Sequence, residues 1–318
     1  MASLQLNNNY QKPLLKWCGG KTQIINKIMD KFPKKINNYY EPFLGGGSVL
    51  LALLSSSNQN KIQIIGNIYV YDVNSLLINI YKDIQNNAEE LINDLTDIIN
   101  IYSTITEFKG NRKPINLDEA LESKETYYYY IRNEFNKIIK NEEVDNSIKS
   151  SAYFIFLNKT CFRGVYREGP NGFNVPFGHY KQNININLLS NEINNINNLI
   201  QCVVFESKDF KDVLNNAFEE DDFIYLDPPY YPIDEKSFVG YTKDGFNEEE
   251  HNSLFDLIDN LNNENVKLML SNSCTEKVKK HFNDEKKYKI NEIDARRAIN
   301  SKNPESKVNE VIVMSIYH

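Results

Sequence analysis

The stretch that most restricts the fold of this chain is residues 222–230, where a short apolar run stops at an acid, two prolines and a tyrosine. Phe223–Leu226 is apolar and partly aromatic or β-branched, which predicts a buried strand. Pro228 and Pro229 lack the N–H that a sheet ladder needs, so the strand is predicted to end at Asp227. Ligands of open α/β sheets bind at the carboxyl ends of the strands, so this point is a candidate site.

The groups at this strand end suit chemistry on an amine. The Asp227 carboxylate and the Pro228 carbonyl are two acceptors that could hold the N–H groups of a weakly nucleophilic exocyclic amine, such as that of adenine. The rings of Tyr230 and Tyr231 offer faces on which an extruded base could stack. Asp-Pro is also common in turns, so a strand followed by a rigid turn explains this block, taken alone, equally well.

Composition narrows the class of protein. The chain has 318 residues, enough for one large domain or two, and its 41% hydrophobic content is sufficient for a sizeable core. The formal charge of −7 argues against a protein that coats nucleic acid without selection. The four cysteines form no CxxC pair and no zinc-like spacing with histidine, which predicts reduced thiols in a cytosol-like compartment. No signal peptide and no membrane-spanning segment is predicted.

Two glycine-rich segments lie in the first 50 residues. The first, residues 15–21, places Gly19, Gly20 and Lys21 ahead of a helical pattern, so free backbone N–H groups and a positive charge could meet an anion or a carboxylate. Its spacing is not that of a P-loop, which argues against nucleotide triphosphate hydrolysis. An ordinary glycine-containing turn into a helix is the alternative.

The second glycine-rich segment, residues 39–50, has the order of strand, glycine turn and helix that opens a Rossmann-like unit. Gly45 and Gly47 fit that pattern, but Leu50 stands where a dinucleotide site has its third glycine, so a dinucleotide ligand is not expected. Asp72 ends the next predicted strand, where an acid can accept hydrogen bonds from ribose hydroxyls. It could also cap the helix that follows, and the sequence leaves both roles open.

Together these segments resemble those of the Dam-type (alpha-group) DNA adenine-N6 methyltransferases, whose cofactor is S-adenosylmethionine (SAM). The resemblance extends over nearly the whole chain, through residues 16–21, 41–47, 157–167, 173–181, 227–230, 238–246, 295–300 and 309–311. The segments between 157 and 181 are similar to the DNA-recognition segment of that family. Their basic residues are interleaved with glycine, asparagine and aromatic residues, a composition typical of a loop that contacts phosphates and base edges. A solvated basic hairpin is the alternative.

The resemblance implies an α/β fold with a Rossmann-like, seven-stranded mixed sheet of the class I methyltransferase type and helices on both faces. The sheet is interrupted by an inserted, mainly helical DNA-recognition domain, because the sequence changes to helical patterns after Asp72 and sheet-like patterns return only near Val203. The predicted SAM-binding catalytic domain therefore comprises residues 1–75 and 200–318. The predicted DNA target-recognition domain comprises residues 76–199.

The resemblance also implies roles for individual residues. The catalytic residues are expected to be Asp227, Pro228, Pro229 and Tyr230. The cofactor-binding residues are expected to be Trp17, Cys18, Gly19, Gly20, Lys21, Glu41, Pro42, Phe43, Gly45, Gly47, Ser48, Asp72, Asp209, Phe210 and Asp227. The DNA-binding residues are expected to be Lys16, Asn158, Lys159, Arg163, Arg167, Asn174, Pro176, Tyr180 and Lys181. No metal is expected, and Asp209 would otherwise be interpreted as a helix cap.

The function implied is methyl transfer from SAM to the N6 amine of adenine in double-stranded DNA, with the base flipped into the pocket at Asp227 and with GATC as the expected target. The enzyme would act as a monomer or homodimer in the cytoplasm or nucleoid, alone or beside a restriction endonuclease. Two alternatives remain open at this stage. One is methylation of RNA or of a protein glutamine, and the other is a catalytically silent DNA-binding relative.

Overall fold

The computed structural model describes residues 10–140, 148–232, 246–296 and 307–316, without the side chains of residues 295–296 and 307–308. Most of the similar segments at 238–246 and 295–300 lie outside the described residues. The chain divides into two compact units. Unit 1 comprises the chain up to Lys12, Gly19–Ser75 and Cys202–His318, and unit 2 comprises Pro13–Cys18 and Leu76–Gln201.

The described residues form eleven strands and eleven α-helices. The strands are β1 (Lys35–Ile36), β2 (Tyr39–Glu41), β3 (Gln63–Ile64), β4 (Ile68–Asp72), β5 (Glu168–Gly169), β6 (Gly172–Phe173), β7 (Val203–Ser207), β8 (Phe223–Leu226), β9 (Lys267–Ser273), β10 (Tyr288–Arg296) and β11 (Lys307–Ser315). The helices are α1 (Ile25–Met29), α2 (Ser48–Asn58), α3 (Ser75–Asn86), α4 (Ala88–Thr104), α5 (Leu117–Ala120), α6 (Lys124–Lys140), α7 (Ile148–Thr160), α8 (Ile186–Ile200), α9 (Phe210–Leu214), α10 (Glu248–Asn263) and α11 (Glu276–His281).

Seven strands of unit 1 form one mixed sheet in the order β10-β11-β9-β8-β2-β4-β7. The pairs from β9 through β8, β2 and β4 to β7 are parallel, whereas β11 is antiparallel to both of its neighbours. Numbered along the chain, these strands follow the order 3-2-1-4-5-7-6, which confirms the predicted seven-stranded mixed sheet of a class I methyltransferase fold. The order reverses between β2 and β8, so the topological switch point lies there.

Burial explains why these segments form the sheet. All four residues of β8 are buried, as the apolar run predicted, because the strand is covered on both faces. On one face, Ile224 and Leu226 pack in a single cluster with Leu268 and Leu270 of β9 and with the apolar residues of α10. The helix α10 begins at Asn247, whose side chain accepts a hydrogen bond from the Glu250 N–H at 3.0 Å.

Unit 2 contains the helices from α4 to α8, most of α3 and the short hairpin of β5 and β6. Helix α7 packs against both α4 and α6. The interface is aromatic, because Tyr102 of α4 and Tyr127 of α6 both meet Phe156 of α7 edge to face, with ring centroids 5.3 and 5.9 Å apart. Within the tyrosine run of α6, Tyr127, Tyr128 and Tyr129 are buried and Tyr130 is partly exposed.

Candidate active site

The site is built where two parallel strands of unit 1 end side by side. Strands β2 and β8 pair in register through Tyr39 with Phe223 and Tyr40 with Ile224. Glu41 is the last residue of β2, and Asp227 follows the last residue of β8. Because the switch point lies between these two strands, their carboxyl ends leave a crevice that neither crossover covers.

Asp227 forms an ion pair with a buried lysine from the first glycine-rich segment. The Lys21 Nζ lies 2.6 Å from the Asp227 Oδ2, and the two side chains are 3% and 19% exposed. Lys21 is held in place by its own N–H, which donates to the Ser48 Oγ at 3.1 Å, and its Nζ lies 4.8 Å from the centre of the Tyr230 ring. Burial raises the pKa of Asp227 to about 6, although Lys21 favours the charged form.

Glu41 is the most deeply buried acid of the site, at 1% exposure. The Tyr39 hydroxyl donates a 2.8 Å hydrogen bond to its Oε2. Burial raises the pKa of Glu41 to about 8; the Tyr39 hydrogen bond and the Lys21 charge oppose this rise, and Asp227 adds to it. At neutral pH, Glu41 is therefore mostly protonated in the protein alone.

Asp72 joins the second glycine-rich turn to the start of α3. Its Oδ2 accepts from the Gly45 N–H and its Oδ1 from the Asn74 N–H, both at 2.9 Å. The turn needs glycine, because Gly45 and Gly47 have φ angles of +51° and +71°. Burial raises the pKa of Asp72 to about 6 against the effect of these two hydrogen bonds. Asn74 precedes α3, so Asp72 holds the turn before the helix and does not accept from an N–H of the helix itself. Each carboxylate oxygen keeps a lone pair with which to accept a ribose hydroxyl.

The residues predicted to contact the cofactor adenine have structural roles of their own. Asp209 is the N-cap of α9, because its Oδ1 accepts from the Lys211 N–H at 2.9 Å. Phe210 is only 4% exposed and packs against Phe43, with ring centroids 5.4 Å apart. Pro42 is buried as well. The proposed contacts of Asp209 and Phe210 with adenine stay predictions.

Two of the predicted cofactor-binding residues, Trp17 and Cys18, belong to unit 2. The other predicted cofactor-binding residues belong to unit 1. Trp17 stacks on Tyr166 of unit 2, with ring centroids 5.2 Å apart and an interplanar angle of 26°. Cys18 is a free, partly buried thiol whose pKa is raised by burial. In unit 1, Gly19 has a φ of +81° and Gly20 is exposed.

The predicted DNA-binding residues all lie in unit 2, and several of them are brought together around Lys16. The Asn158 amide accepts from the Lys16 N–H and donates to the Lys16 carbonyl, both at 2.9 Å. Asn158 is 2% exposed, so it supports Lys16 from the interior instead of presenting its own side chain at the surface. The Lys16 Nζ lies 5.1 Å from the centre of the exposed Tyr180 ring, whose hydroxyl accepts from the Arg163 N–H at 3.0 Å. Glycine is required at Gly164, because a Cβ there would lie 2.6 Å from the Lys16 side chain.

A second group surrounds the β5–β6 hairpin. The Arg167 Nε donates to the Asn174 Oδ1 at 2.6 Å, so these two predicted DNA contacts restrain each other. Pro176 is exposed, and its carbonyl accepts from the Phe162 N–H at 2.8 Å. Arg167 is exposed too, which leaves its guanidinium accessible to a ligand.

The two lysines predicted to contact phosphate differ in their surroundings. Lys181 is exposed. The Lys159 Nζ lies 3.8 Å from the Glu192 Oε2, and burial lowers the pKa of this lysine. Part of the positive charge of Lys159 is therefore already neutralised within unit 2, and Lys181 is the better candidate for a phosphate contact.

Sequence reasoning gave no role to three residues that touch the loop after β8. The Tyr230 hydroxyl donates to the Glu310 Oε2 at 2.8 Å, the Tyr231 N–H donates to the Asn272 Oδ1 at 2.9 Å, and the Ser273 Oγ donates to the Tyr231 carbonyl at 2.6 Å. A signal for two of them exists in the sequence. Residues 271–273 are polar and follow the apolar residues 268–270 of β9, as Asp227 follows the apolar run of β8.

The charges of this site fit SAM, which carries a sulfonium and an ammonium group. Burial raises the pKa of Glu41, Asp72 and Asp227, and the charges of Asp227 and Asp72 raise that of Glu41 further. Among the described residues, Lys21 is the cation that opposes this rise at Glu41 and Asp227. A cationic ligand would relieve this excess of buried carboxylate, and the glycine turn at residues 45–47 lets such a ligand approach the backbone.

Other classes of site find little support in the part of the chain that the structure describes. Within it, no group of three or more histidine, cysteine, aspartate or glutamate side chains is placed to hold a metal ion. In the same residues, no helix has both the length and the apolar character needed to span a bilayer. The four cysteines, which all fall within the described ranges, are free thiols.

Comparison with known proteins agrees with this geometry. Residues 17–299 match the family model of the D12 class N6 adenine-specific DNA methyltransferases. The chain is 35% identical to the Type II methyltransferase M.MjaIII of Methanocaldococcus jannaschii over 96% of this chain and 99% of that protein. It is 31% identical to the Type II methyltransferase M1.LlaDCHI of Lactococcus lactis subsp. cremoris, over 98% of each chain. It is 30% identical to the DNA adenine methylase of Haemophilus influenzae, over 96% of this chain and 93% of that protein. The chain therefore belongs to the D12 class of N6 adenine-specific DNA methyltransferases, enzymes that use SAM to methylate adenine in DNA.

Proposed function

We propose that this enzyme methylates the adenine of GATC, after flipping that base out of the duplex to the segment from Asp227 to Tyr230. The observation that supports this best is the position of Asp227 at the switch point of the sheet, 2.6 Å from the buried Lys21 Nζ and beside the Tyr230 ring. A base brought to this point would find a polar acceptor and an aromatic face together. The arrangement is what transfer to an exocyclic amine requires.

When bound, SAM supplies an electrophilic methyl group on its sulfonium. The Asp227 carboxylate and the Pro228 carbonyl accept the two N–H groups of the adenine amine, which directs the nitrogen lone pair away from the ring system as the amine attacks. The product amine is cationic until it loses a proton, and the Asp227 carboxylate stabilises that charge at its Oδ atoms. The Tyr230 ring stacks on the base and excludes water from one of its faces.

The cofactor is held by the residues of the glycine turn and the two neighbouring strand ends. Asp72 accepts the ribose hydroxyls with the lone pairs that Gly45 and Asn74 leave unused. Glu41 pairs with the cationic amine of the ligand, which would draw its pKa down from about 8 and ionise it. Lys21 favours the ionised form of Asp227, which is the form that accepts a hydrogen bond from the neutral adenine amine.

Unit 2 serves as the target-recognition domain. Lys16, Arg163 and Tyr180 form one exposed group in it, and Arg167 with Asn174 forms another. Arginine and lysine can both contact guanine O6 and N7 in the major groove, so Arg167 and Lys16 are the proposed base contacts, while Lys159 and Lys181 are the proposed phosphate contacts. The proposed preference for GATC rests only on these DNA-recognition residues. The domain boundaries predicted from sequence also stay part of the proposal.

The biological setting is proposed from the relatives. Two of them carry the name Type II methyltransferase, which supports a restriction-modification context in which a nuclease cuts the same unmodified site. Another is named a DNA adenine methylase. The enzyme is proposed to act on chromosomal DNA in the cytoplasm or nucleoid as a monomer or homodimer.

Transfer of tritium from methyl-labelled SAM to duplex DNA, RNA or protein tests the substrate class. The enzyme should label duplex DNA, and nuclease digestion should recover the label as N6-methyladenine. Predominant labelling of RNA or of protein glutamine, or no labelling of any of the three, would overturn the proposal in favour of the corresponding alternative.

Asp227→Ala tests the site. It should abolish methyl transfer while SAM and DNA binding change little, because its contact matters most as the amine becomes charged. Asp221→Asn is a matched control, since Asp221 stands at the opposite end of β8 and forms an ion pair with Lys267. The control should keep full activity. Wild-type turnover in Asp227→Ala would refute the catalytic assignment.

Methylome sequencing of DNA from cells that express the enzyme tests the target. Modified adenines should fall within GATC. If most of them fall elsewhere, the recognition assignment fails, while the catalytic assignment stands or falls with Asp227→Ala.

A further inference from the structure

Two residues that face each other on neighbouring strands of the sheet contact Tyr230 and Tyr231, the two tyrosines of the loop after β8. Ser273 of β9 and Glu310 of β11 are paired residues in the antiparallel ladder. The Ser273 side chain contacts Tyr231, and the Glu310 side chain contacts Tyr230. Asn272, which precedes Ser273, contacts Tyr231 as well. We call Asn272, Ser273 and Glu310 the anchor residues.

The anchor residues on β9 fix the backbone of Tyr231 from both sides. The Asn272 Oδ1 accepts from the Tyr231 N–H at 2.9 Å and from the Ser273 N–H at 2.8 Å. The Ser273 Oγ donates to the Tyr231 carbonyl at 2.6 Å. Asn272 and Ser273 are both fully buried, so water does not compete for these hydrogen bonds.

Glu310 contacts Tyr230, whose ring is the proposed stacking surface for the flipped base. Its Oε2 accepts from the Tyr230 hydroxyl at 2.8 Å, and the face of that ring lies 4.8 Å from the Lys21 Nζ. The same Nζ forms the ion pair with Asp227. Glu310 is therefore connected to Asp227 by contacts through the Tyr230 ring and the Lys21 ammonium. A substitution at Glu310 is expected to shift the position of Asp227.

A role limited to stability does not explain the anchor residues well. Among the described residues, the Asn272 Nδ2 is buried without a hydrogen-bond partner, which is unfavourable for folding. An apolar side chain would avoid that unpaired donor. An apolar side chain would, however, lack the Oδ1 with which Asn272 accepts the hydrogen bond from the Tyr231 N–H.

We infer that Asn272, Ser273 and Glu310 are positioning residues for methyl transfer, an inference that rests on the catalytic role proposed for Asp227. Pro228 and Pro229 have fixed φ angles, so the segment between Asp227 and Tyr231 has few free torsions. Fixing its far end at Tyr231 therefore fixes the orientation of the Asp227 carboxylate and the Pro228 carbonyl. The contribution to rate is one of geometry, because a small misplacement of reacting groups slows a reaction strongly.

Removing single anchors tests the inference. In single-turnover assays on duplex DNA with tritiated SAM, Ser273→Ala and Glu310→Ala should each slow methyl transfer about tenfold. Their affinity for SAM, measured by isothermal titration, should stay within about twofold of wild type. Glu310→Gln keeps an acceptor for the Tyr230 hydroxyl and should restore most of the rate.

Ser315→Ala is the matched control. Ser315 is a buried serine whose Oγ accepts from the Leu268 N–H at 2.9 Å, near the start of β9 and away from the loop. The Ser315 Oγ also donates to the Val266 carbonyl at 3.1 Å, so Ser315→Ala loses a hydrogen bond to a backbone carbonyl, as Ser273→Ala does. It should lower the melting temperature about as much as Ser273→Ala while keeping the wild-type rate of transfer.

Two results would overturn the inference. One is a transfer rate for Ser273→Ala and Glu310→Ala equal to that of Ser315→Ala. The other is a failure of Glu310→Gln to recover rate. If Asp227→Ala is inactive while Ser273→Ala and Glu310→Ala transfer at the wild-type rate, only this inference fails; if Asp227→Ala is active, the proposed function fails as well.

Discussion

Replacing Glu41 by glutamine should remove a pH dependence of stability that the buried carboxyl creates. Glutamine is neutral at every pH and still offers an oxygen to the Tyr39 hydroxyl, so the substitution changes charge with little change in shape. In the wild-type protein, burial raises the pKa of Glu41 to about 8, against an ordinary value of 4.5. Ionising Glu41 in the folded state without a ligand therefore costs about 5 kcal/mol more than ionising it in the unfolded chain.

The sign of this pH dependence follows from which state of the protein, folded or unfolded, binds the Glu41 proton. Below pH 4.5 both the folded and the unfolded protein hold it, and between pH 4.5 and about 8 only the folded protein does. Unfolding in that window releases a proton, so the stability contributed by Glu41 declines as pH rises and is lost as pH passes about 8. Between pH 6 and pH 8, the free energy of unfolding of wild type should fall by about 2 kcal/mol relative to Glu41→Gln.

Urea unfolding followed by circular dichroism at pH 6 and pH 8, for wild type and Glu41→Gln, measures this difference. Glu292→Gln is the control, because Glu292 is paired with Lys279, which lowers its pKa, and it is ionised in both states over this range. That variant should differ from wild type by the same amount at both pH values. If the difference between wild type and Glu41→Gln is also independent of pH, Glu41 is not held protonated and the reasoning is wrong.

Four further outcomes are expected. The rate of single-turnover methyl transfer should fall as pH decreases through about 6, because Asp227 then becomes protonated and ceases to accept; a pH–rate profile measures this. Asp72→Ala should weaken SAM binding about tenfold by isothermal titration, and unchanged affinity would leave Asp72 only its structural hydrogen bonds to Gly45 and Asn74. Arg167→Ala should lose about 1–3 kcal/mol of discrimination at one base pair, measured by competition among altered duplexes. Lys181→Ala should weaken binding to all sequences alike and reduce the slope of log affinity against log salt by about one.

Local patterns in the sequence predicted individual strands correctly, while the seven-stranded sheet was implied by the family resemblance. The run from Phe223 to Leu226 became β8, and the predicted strand before Asp72 became β4. These predictions succeed because apolar periodicity and proline act within a few residues of where they stand. The glycine turn is equally local, since Gly45 and Gly47 have the positive φ angles that glycine adopts without strain.

Local sequence patterns do not predict which individual side chains are buried. Asn158, which the resemblance places among the DNA contacts, is buried and holds the backbone of Lys16, which is 142 positions earlier in the chain. Phe210, which is expected to cover the cofactor adenine, also packs against Phe43. Both ligand contacts stay predictions. In both cases, the environment is supplied by residues distant in sequence, and no local pattern encodes it.

The sequence by itself determined where the strands end and therefore which acids stand at the ligand-binding edge of the sheet, because strand length and proline placement are local properties. Only the tertiary structure decided how the charges there are paired. Lys21 and Asp227 are far apart in the chain, and the packing of the first glycine-rich segment against the end of β8 places their side chains 2.6 Å apart. The register of β9 and β11 likewise brings Ser273 and Glu310 to the same rung. Ion pairing and register depend on distances between remote segments, and folding alone sets those distances.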